Sequence, residues 1–237
     1  MARALENHRF LWMDEHLGVV DKPAGILSTP APGRSEPVLT DRIAAALVCR
    51  GEDAAVFAVH RLDEETTGSI AFARTEEARS GLEKIFKSHA AERVYHCIVH
   101  GGPRAPSGLI ESRLDEDSSG IVRVTTRGGR IARTEYVVLL RLDGMSLLAC
   151  RLETGRRNQI RVQLADIGCP VVGDRKYGRR NSKVRAKRTL LHATALGLTH
   201  PLTGARVEAV APFPADFEKL VGTDRLAPFD ATAGDAT

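Results

Sequence analysis

The chain has 237 residues, of which 43% are hydrophobic and 27% are charged, a composition typical of soluble globular proteins. No run approaches the ~18 consecutive apolar residues of a membrane helix, and the N-terminal stretch lacks an apolar core, so neither a membrane protein nor a signal peptide is expected. The four cysteines are scattered without a C-x-x-C pair. They predict buried thiols in a reducing cytoplasm, rather than disulfides or a zinc site.

The net charge of +4 is unevenly distributed along the chain. Residues 151–200 contain 12 Lys and Arg against 3 Asp and Glu, and the stretches on either side are acidic overall. The basic charge is densest in "RRNSKVRAKR", residues 179–188. Such a segment is either a solvated loop or a surface that faces a polyanion, of which nucleic acid is the commonest.

Alternating apolar residues between Gly, Pro and Asp turns predict many short strands with few helices. The predicted strands are 9–14, 17–23, 55–61, 69–73, 93–101, 108–114, 120–126, 132–142, 146–153, 190–200 and 205–212. The predicted helices are 38–51, 75–89, 158–168 and 214–222. This order predicts an α+β fold around one extended, mixed and mostly antiparallel sheet, in one large domain or two closely packed lobes. The tail, 225–237, is expected to be frayed.

Helix ends are predicted from capping residues. Thr40 or Asp41 can cap the first helix, and Thr75 can cap the second, whose first turn is acidic and whose last turn is basic. In the third helix, Ile160 and Ile167 recur at helical spacing and are predicted to share one face with Leu164, and Gly168 is predicted to end the helix.

The stretch "HRLDEETTGS", residues 60–69, is predicted as a loop between two strands. Arg61 and Asp63 would share one face, and two glutamates follow at once. The loop is either a surface acidic turn with a local ion pair, worth ~0 to 1 kcal/mol, or a site that presents Asp63 for chemistry. Glu64 and Glu65 are assigned no role.

Two further candidates lie beyond this loop. Arg161 falls near the first turn of the third predicted helix, where the helix dipole disfavours a cation, so it needs a partner such as a carboxylate in a neighbouring loop. Tyr95 lies in the middle of a predicted strand, where most tyrosines pack into the core. The sequence contains neither a metal-ligand spacing nor a nucleotide-binding glycine motif, so no metal and no cofactor is expected.

Five stretches together resemble the RluA-type family of pseudouridine synthases, in the family's order. They are "VVDKPAGIL" (19–27), "HRLDEETTG" (60–68), "RVYHCIVHG" (93–101), "LETGRRNQIRVQLADIGCPVVGDRKYG" (152–178) and "LLHATALGLTHP" (190–201). The resemblance spans about residues 10–215. It implies a single catalytic domain, 1–237, with an active-site cleft across the sheet.

The resemblance also implies the chemistry and the site. The family isomerises uridine to pseudouridine within RNA without metal or cofactor, and Asp63, Tyr95 and Arg161 match its catalytic aspartate, its active-site tyrosine and the arginine that pairs with the aspartate. The partner is therefore expected to be RNA, either tRNA or rRNA, and the chain a cytoplasmic monomer. The candidate RNA or substrate contacts are His60, Arg61, Thr67, Arg156, Gln159, Leu191, Arg179, Arg180, Lys183, Arg185, Lys187 and Arg188.

Several positions depart from the family's pattern. Thr67 stands in place of the usual Ser, Arg157 in place of Thr, and Asn158 and Gln163 where His is usual. Because the last three lie beside Arg161, they are expected to affect RNA contacts and substrate choice. The S4-like RNA-binding module of many relatives is not expected in this chain.

Two other classes of protein remain open from the sequence. One is a non-catalytic RNA-binding protein of the same fold, although such a protein has no need of all three catalytic residues. The other is a retaining glycosidase, which needs a second carboxylate ~5 to 5.5 Å from the first. The release of tritium from [5-³H]uridine-labelled RNA separates both from a pseudouridine synthase.

Overall fold

The chain, as a computed structural model, forms two compact units, and the structure describes residues 9–178, 184 and 186–226. The first unit runs to Glu92 and includes Ala193–Pro212; the second contains Arg93–His192 and the chain from Phe213. No helix in the described part of the chain is long and apolar enough to cross a membrane.

Eleven strands and five helices are present in the described residues, so the predicted α+β class is confirmed. The strands are β1 (Phe10–Met13), β2 (Leu17–Lys22), β3 (Phe57–Ala58), β4 (Thr67–Ala73), β5 (Glu92–His100), β6 (Ser107–Glu116), β7 (Val122–Thr125), β8 (Arg130–Leu142), β9 (Met145–Leu152), β10 (Leu191–Thr199) and β11 (Arg206–Val210). The helices are α1 (Leu39–Cys49), α2 (Glu76–Lys87), α3 (Gln159–Asp166), α4 (Ala215–Val221) and α5 (Thr223–Leu226). Most of the expected tail, from residue 227, lies outside the described residues.

The first unit has the strand order β1-β2-β4-β10, with β3 beside β4 and β11 beside β10. The pairs β1–β2, β2–β4, β3–β4 and β10–β11 are antiparallel. Its core lies between this sheet and α2, which contributes the side chains of Ala78, Leu82 and Phe86 at helical spacing. Removing the fully buried Leu82 side chain would cost about 2–5 kcal/mol, as for other core leucines.

The predicted N-terminal cap is confirmed for α2 but not for α1. Thr75 caps α2 as predicted, because its hydroxyl accepts a hydrogen bond from the Ala78 amide at 3.2 Å. The predicted cap of α1 is wrong. Val38 occupies the cap position, and the Asp41 carboxylate accepts from the Val38 amide at 3.0 Å from inside the first turn.

The second unit has the strand order β5-β9-β8-β6-β7, in which each adjacent pair is antiparallel. Helix α3 contacts β6, β7 and β8, and Val162 packs with Leu114 and Ala132 beneath it. Of the three residues predicted to share a face of α3, Ile160 and Leu164 are buried, whereas Ile167 is 41% exposed and lies just beyond the end of the helix.

Two buried histidines lie among aromatic side chains in the second unit. His96 in β5 makes an edge contact with Phe213 at 5.0 Å, and the ring of His192 lies 5.9 Å from Phe213 and 6.1 Å from Phe217. Burial lowers the pKa of His96 to about 4, because the charged imidazolium would lose its hydration. His96 is therefore neutral in the folded protein at pH 7.

Acid should destabilise the second unit through His96. The unfolded chain binds a proton at His96 below its ordinary pKa of ~6.5, whereas the folded chain does so only near pH 4. The free energy of unfolding should therefore fall by up to about 3 kcal/mol as pH drops through this window. Urea unfolding of His96→Gln should show a shallower loss between pH 6.5 and 4.5. An equal loss in both proteins would contradict this prediction.

Candidate functional site

Asp63 lies in the loop between β3 and β4, in the first unit. Asp63 is half-buried and Arg61 is exposed. The loop turns where the Thr66 amide donates to the Asp63 carbonyl at 3.0 Å. Ser28 holds the preceding residue, because its hydroxyl donates to the Leu62 carbonyl at 2.9 Å and accepts from the Leu62 amide at 3.1 Å. The backbone on both sides of Asp63 is thus fixed by hydrogen bonds.

Lys22, of the K-P-x-G motif, anchors the same loop from the interior of the first unit. Its side chain is fully buried, and its ammonium group donates to the carbonyls of Pro23 at 3.0 Å and of Glu64 and Thr66 at 2.9 Å. The Gly25 amide also donates to the Glu64 carbonyl, at 2.9 Å. The role of Lys22 was not predicted, and its only signal in the sequence is the position of this motif ahead of the aspartate motif.

Gly68 ends the loop where β4 passes close to β10. Its φ is +108°, and a Cβ atom there would lie 2.2 Å from the Ala193 carbonyl oxygen, so only glycine fits. The Ser69 hydroxyl donates to the same carbonyl at 2.9 Å. Thr67, a candidate RNA contact, is buried in β4. Gly68 of the loop motif and Ala193 of the L-H-A motif therefore allow β4 and β10 to approach each other closely.

His60 and Arg61 are placed differently. The His60 ring stacks on Phe86 at 4.1 Å, and its Nε2 accepts a hydrogen bond from the Ala71 amide at 2.8 Å. These contacts fasten the start of the loop to the rest of the unit. The exposed Arg61 is better placed for an RNA contact than His60.

Arg161, on α3 in the second unit, binds the Asp174 carboxylate with both arms of its guanidinium group. The Nε–Oδ2 distance is 2.7 Å and the Nη2–Oδ1 distance is 2.9 Å, and the Asp174 side chain is fully buried. Burial raises the pKa of Asp174, but Arg161 and the amides of Tyr177 and Lys176 outweigh burial and hold it below its ordinary value. The predicted carboxylate partner of Arg161 is thus found, but Asp174 itself was not predicted; its signal in the sequence is the G-D-x-x-Y-G pattern.

Asn158 and Tyr177 complete the surroundings of Arg161. The Asn158 carbonyl oxygen accepts from Arg161 Nη1 at 3.3 Å, and its amide donates to the Tyr177 hydroxyl at 3.0 Å. The Arg161 guanidinium lies 5.3 Å from the centre of the Tyr177 ring, within cation–π range. Asn158 has a φ of +53°, a conformation that Asn tolerates. This departure from the family's His therefore serves Arg161 and Tyr177.

Gln159 and Gln163 belong to a buried network beneath α3. The Gln159 amide donates to the Thr134 hydroxyl at 2.9 Å, and that hydroxyl donates to the Gln163 carbonyl oxygen at 2.6 Å. Both glutamines are buried, and each makes further hydrogen bonds to residues of the same unit. Their polar atoms are used inside the protein. The RNA contact expected of Gln159 and the expected effect of Gln163 on substrate choice stay predictions.

Arg156 and Arg157 precede α3 and are more accessible. Arg156 is half-buried, and its Nε donates to the Ile131 carbonyl at 3.1 Å, whereas Arg157 is exposed and forms an ion pair with Glu116.

Tyr95 lies in β5, opposite Cys150, and is only 8% exposed. Its burial suits a core residue as well as a residue at the wall of a site.

The basic segment is only partly described. Arg179, Arg180, Lys183 and Arg185 lie outside the described residues, and Lys187 is exposed. Arg188 is buried, and its guanidinium binds the Asp216 carboxylate at 2.6 and 2.7 Å. It also donates to the Leu191 carbonyl at 3.2 Å, and Leu191 itself is buried. Arg188 is therefore an anchor for α4, and its predicted contact with RNA stays a prediction.

The catalytic candidates divide between the two units. Asp63 belongs to the first unit, and Tyr95 and Arg161 belong to the second. The pairing of Asp63 with Arg161 and the expected cleft stay predictions.

Replacing Asp174 by Asn should destabilise the second unit. Asn keeps one acceptor and turns a donor toward the Arg161 guanidinium, whose side chain is only 11% exposed. Breaking such a buried pair costs about 3–5 kcal/mol. We expect this loss in urea unfolding at pH 7. It should shrink as pH falls below the ordinary range of a carboxyl group, because the lowered pKa of Asp174 contributes stability only above that range.

The control for Asp174→Asn is Glu83→Gln on α2. Its ion pair with Arg79, at 3.0 Å, is about half exposed on both sides and should be worth less than 1 kcal/mol. A loss for Asp174→Asn as small as that of the control would contradict the prediction.

Comparison with known proteins agrees with these features. Residues 16–166 match the family model described as RNA pseudouridylate synthase. An uncharacterized RNA pseudouridine synthase of Synechocystis sp. is 38% identical over 224 residues, which cover 89% of this chain and 67% of the relative. The ribosomal large subunit pseudouridine synthase D of Zymomonas mobilis is 36% identical over 222 residues, covering 87% of this chain and 69% of the relative.

The fold also matches solved structures. Human RNA pseudouridylate synthase domain containing 4 superposes with a TM-score of 0.76 at 24% sequence identity, covering 95% of both chains. At this identity the superposition shows the fold alone. The family model and the sequence relatives carry the assignment further: the chain belongs to the RNA pseudouridylate synthase family, whose members are isomerases that act on RNA.

Proposed function

We propose that this protein converts specific uridines in structured RNA to pseudouridine, with Asp63 as the reacting carboxylate. The observation that carries the proposal is the anchoring of the Asp63 loop. Lys22 and Ser28 hold the backbone on both sides of Asp63, while its side chain stays partly accessible. A surface acidic turn does not need such anchoring, whereas a reacting group must be held in place.

The reaction is an isomerisation in which every atom is retained. The N1–C1′ bond breaks and its electron pair leaves with the uracil ring. The ring turns, C5 bonds to C1′, the C5 proton passes to a base, and N1 takes up a proton. Asp63 either attacks C1′ and is later displaced, or removes the C2′ proton and later returns it.

Tyr95 and Arg161 have distinct proposed roles. Arg161 pairs with Asp63, since a nearby cation favours the charged carboxylate, and Asp174 holds the guanidinium that does so. The Tyr95 phenol accepts or relays the C5 proton. The exposed Arg61 fills the space left in the RNA stack when the target base is flipped out.

The substrate class is proposed from the relatives and the charge distribution. A relative named for the ribosomal large subunit supports rRNA, and tRNA is the other candidate. The basic residues of 151–200, Arg156 and Lys187 among them, suit an RNA backbone. We further propose that both units form one catalytic domain, that the protein acts as a cytoplasmic monomer, and that the reaction needs neither metal nor cofactor.

Asp63→Asn tests the central assignment. Asn has nearly the same shape but can neither attack C1′ nor remove a proton, so tritium release from [5-³H]uridine-labelled RNA should stop. RNA affinity should stay within about tenfold. The control is Glu64→Gln, whose carboxylate contacts only the exposed Arg34 in the described structure. Residual release above about 1% of wild type would refute the role of Asp63, because losing the reacting group should cost several orders of magnitude.

Arg161→Met tests the proposed pairing with Asp63. Without the cation, protonation of the Asp63 carboxylate becomes easier, so the acid limb of the pH–rate profile should move to higher pH and the maximal rate should drop strongly. Arg157→Met, an exposed arginine of the same segment, serves as the control. A folded Arg161→Met variant with an unshifted acid limb would show that the two groups do not interact.

A further inference from the structure

Arg93 is a buried cation that the proposed chemistry does not use. It lies in β5, two residues before Tyr95, so both side chains point to the same face of the strand. Arg93 is 8% exposed. Its guanidinium reaches the turn formed by Thr154, Gly155 and Arg156, since a Cβ atom on Gly155 would lie only 2.7 Å from its Nη1.

The hydrogen-bonding capacity of Arg93 is largely unused. Its buried Nε has no acceptor, and the one hydrogen bond that the guanidinium makes in the described structure is long, 3.5 Å from Nη2 to the Leu152 carbonyl. No carboxylate of the described residues forms an ion pair with it. Burial lowers the pKa of Arg93, opposed by its interaction with Tyr95, so its surroundings disfavour the charge.

Two arginines of the same unit with little-exposed side chains show what is missing. Arg161 and Arg188 each bind a carboxylate with both arms, at distances between 2.6 and 2.9 Å. A buried charge without a partner costs free energy, and buried groups left unsatisfied commonly have a ligand or a catalytic role. Within the described residues, Arg93 therefore has no anionic partner.

We propose that Arg93 and the turn at Thr154–Arg156 bind a phosphodiester group of the RNA substrate. A guanidinium fork matches two phosphate oxygens, and charge-assisted bonds of this kind are the strong ones. Gly155 is exposed and has no side chain, so a ligand can approach the guanidinium beneath it. Arg156 adds a second cation, of which only Nε donates a hydrogen bond to the part of the chain that the structure describes. The proposal rests on the proposed function, because it takes RNA as the ligand.

A purely structural role predicts something different. If Arg93 served the fold, its replacement would lower stability. If it is kept for an anion, Arg93→Met removes an unpaired buried charge and should leave the melting temperature unchanged or raise it. If Arg93 served only to position Tyr95, Arg93→Met would instead lower the maximal rate and leave the RNA affinity unchanged.

The first experiment needs no variant of Arg93. Single methylphosphonates, which are neutral, are placed in turn at each phosphate around the target uridine of a substrate RNA. Binding is measured with Asp63→Asn, so that no turnover occurs. One position should weaken binding about tenfold or more, as for other hydrogen bonds to charged groups. If no single phosphate matters, the proposal is refuted.

The second experiment compares Arg93→Met with Arg79→Met, a surface arginine of α2 paired with Glu83. For Arg93→Met, log Kd against log salt should lose about 0.7 of its slope, the share of one phosphate contact in single-stranded RNA. The sensitive methylphosphonate should no longer weaken binding. An unchanged slope, a persistent methylphosphonate effect or a collapsed melting temperature would each overturn the proposal.

Both experiments measure binding and are therefore separable from the proposed function. If wild-type protein released no tritium, the proposed activity would fail even though a single phosphate mattered for binding. If tritium were released normally but neither experiment showed a phosphate dependent on Arg93, the proposed activity would stand and the phosphate site would fail.

Discussion

The candidate site depends on one buried ammonium group. Lys22 joins three backbone carbonyls, two of which lie beyond position 63, and it does so from inside the first unit. A buried charge needs acceptors and buried carbonyls need donors, so each offsets the desolvation of the other. The hydrogen bonds from Lys22 fix the backbone of a loop rich in charged side chains, while Asp63 stays half-buried and Arg61 exposed.

The second unit uses the same principle around α3. Asp174 orients Arg161, and Thr134 links Gln159 to Gln163 through its hydroxyl. Because these groups have partners within the unit, they hold the helix in position. Arg93 differs from these groups. It is also buried, but its Nε has no hydrogen-bond acceptor among the described residues, and this is why we propose a ligand for it.

Charge in the sequence does not by itself indicate an RNA-binding surface. Lys187 and Arg188 are neighbours in the densest basic run, yet one is exposed and the other is buried against Asp216. The difference comes from a carboxylate 28 residues further along the chain, which composition and charge runs do not reveal. Neighbouring residues of a basic run can thus be a buried anchor and an exposed cation, according to what packs on them.

The sequence by itself determined the elements that depend on local interactions. The cap at Thr75, the extents of α1 and α2 and the alternating strands follow from capping and periodicity, and the five ordered motifs were enough to recognise the family and to select Asp63, Tyr95 and Arg161. Tertiary structure alone decided which groups meet. Lys22 contacts carbonyls 42 and 44 residues away, and Asp174 was missed as the partner of Arg161. Gln163, which stands where the family usually has His, is buried in a hydrogen-bond network. Periodicity and propensity describe a residue and its near neighbours, whereas hydrogen bonds and burial depend on which distant segments the fold brings within about 3 Å.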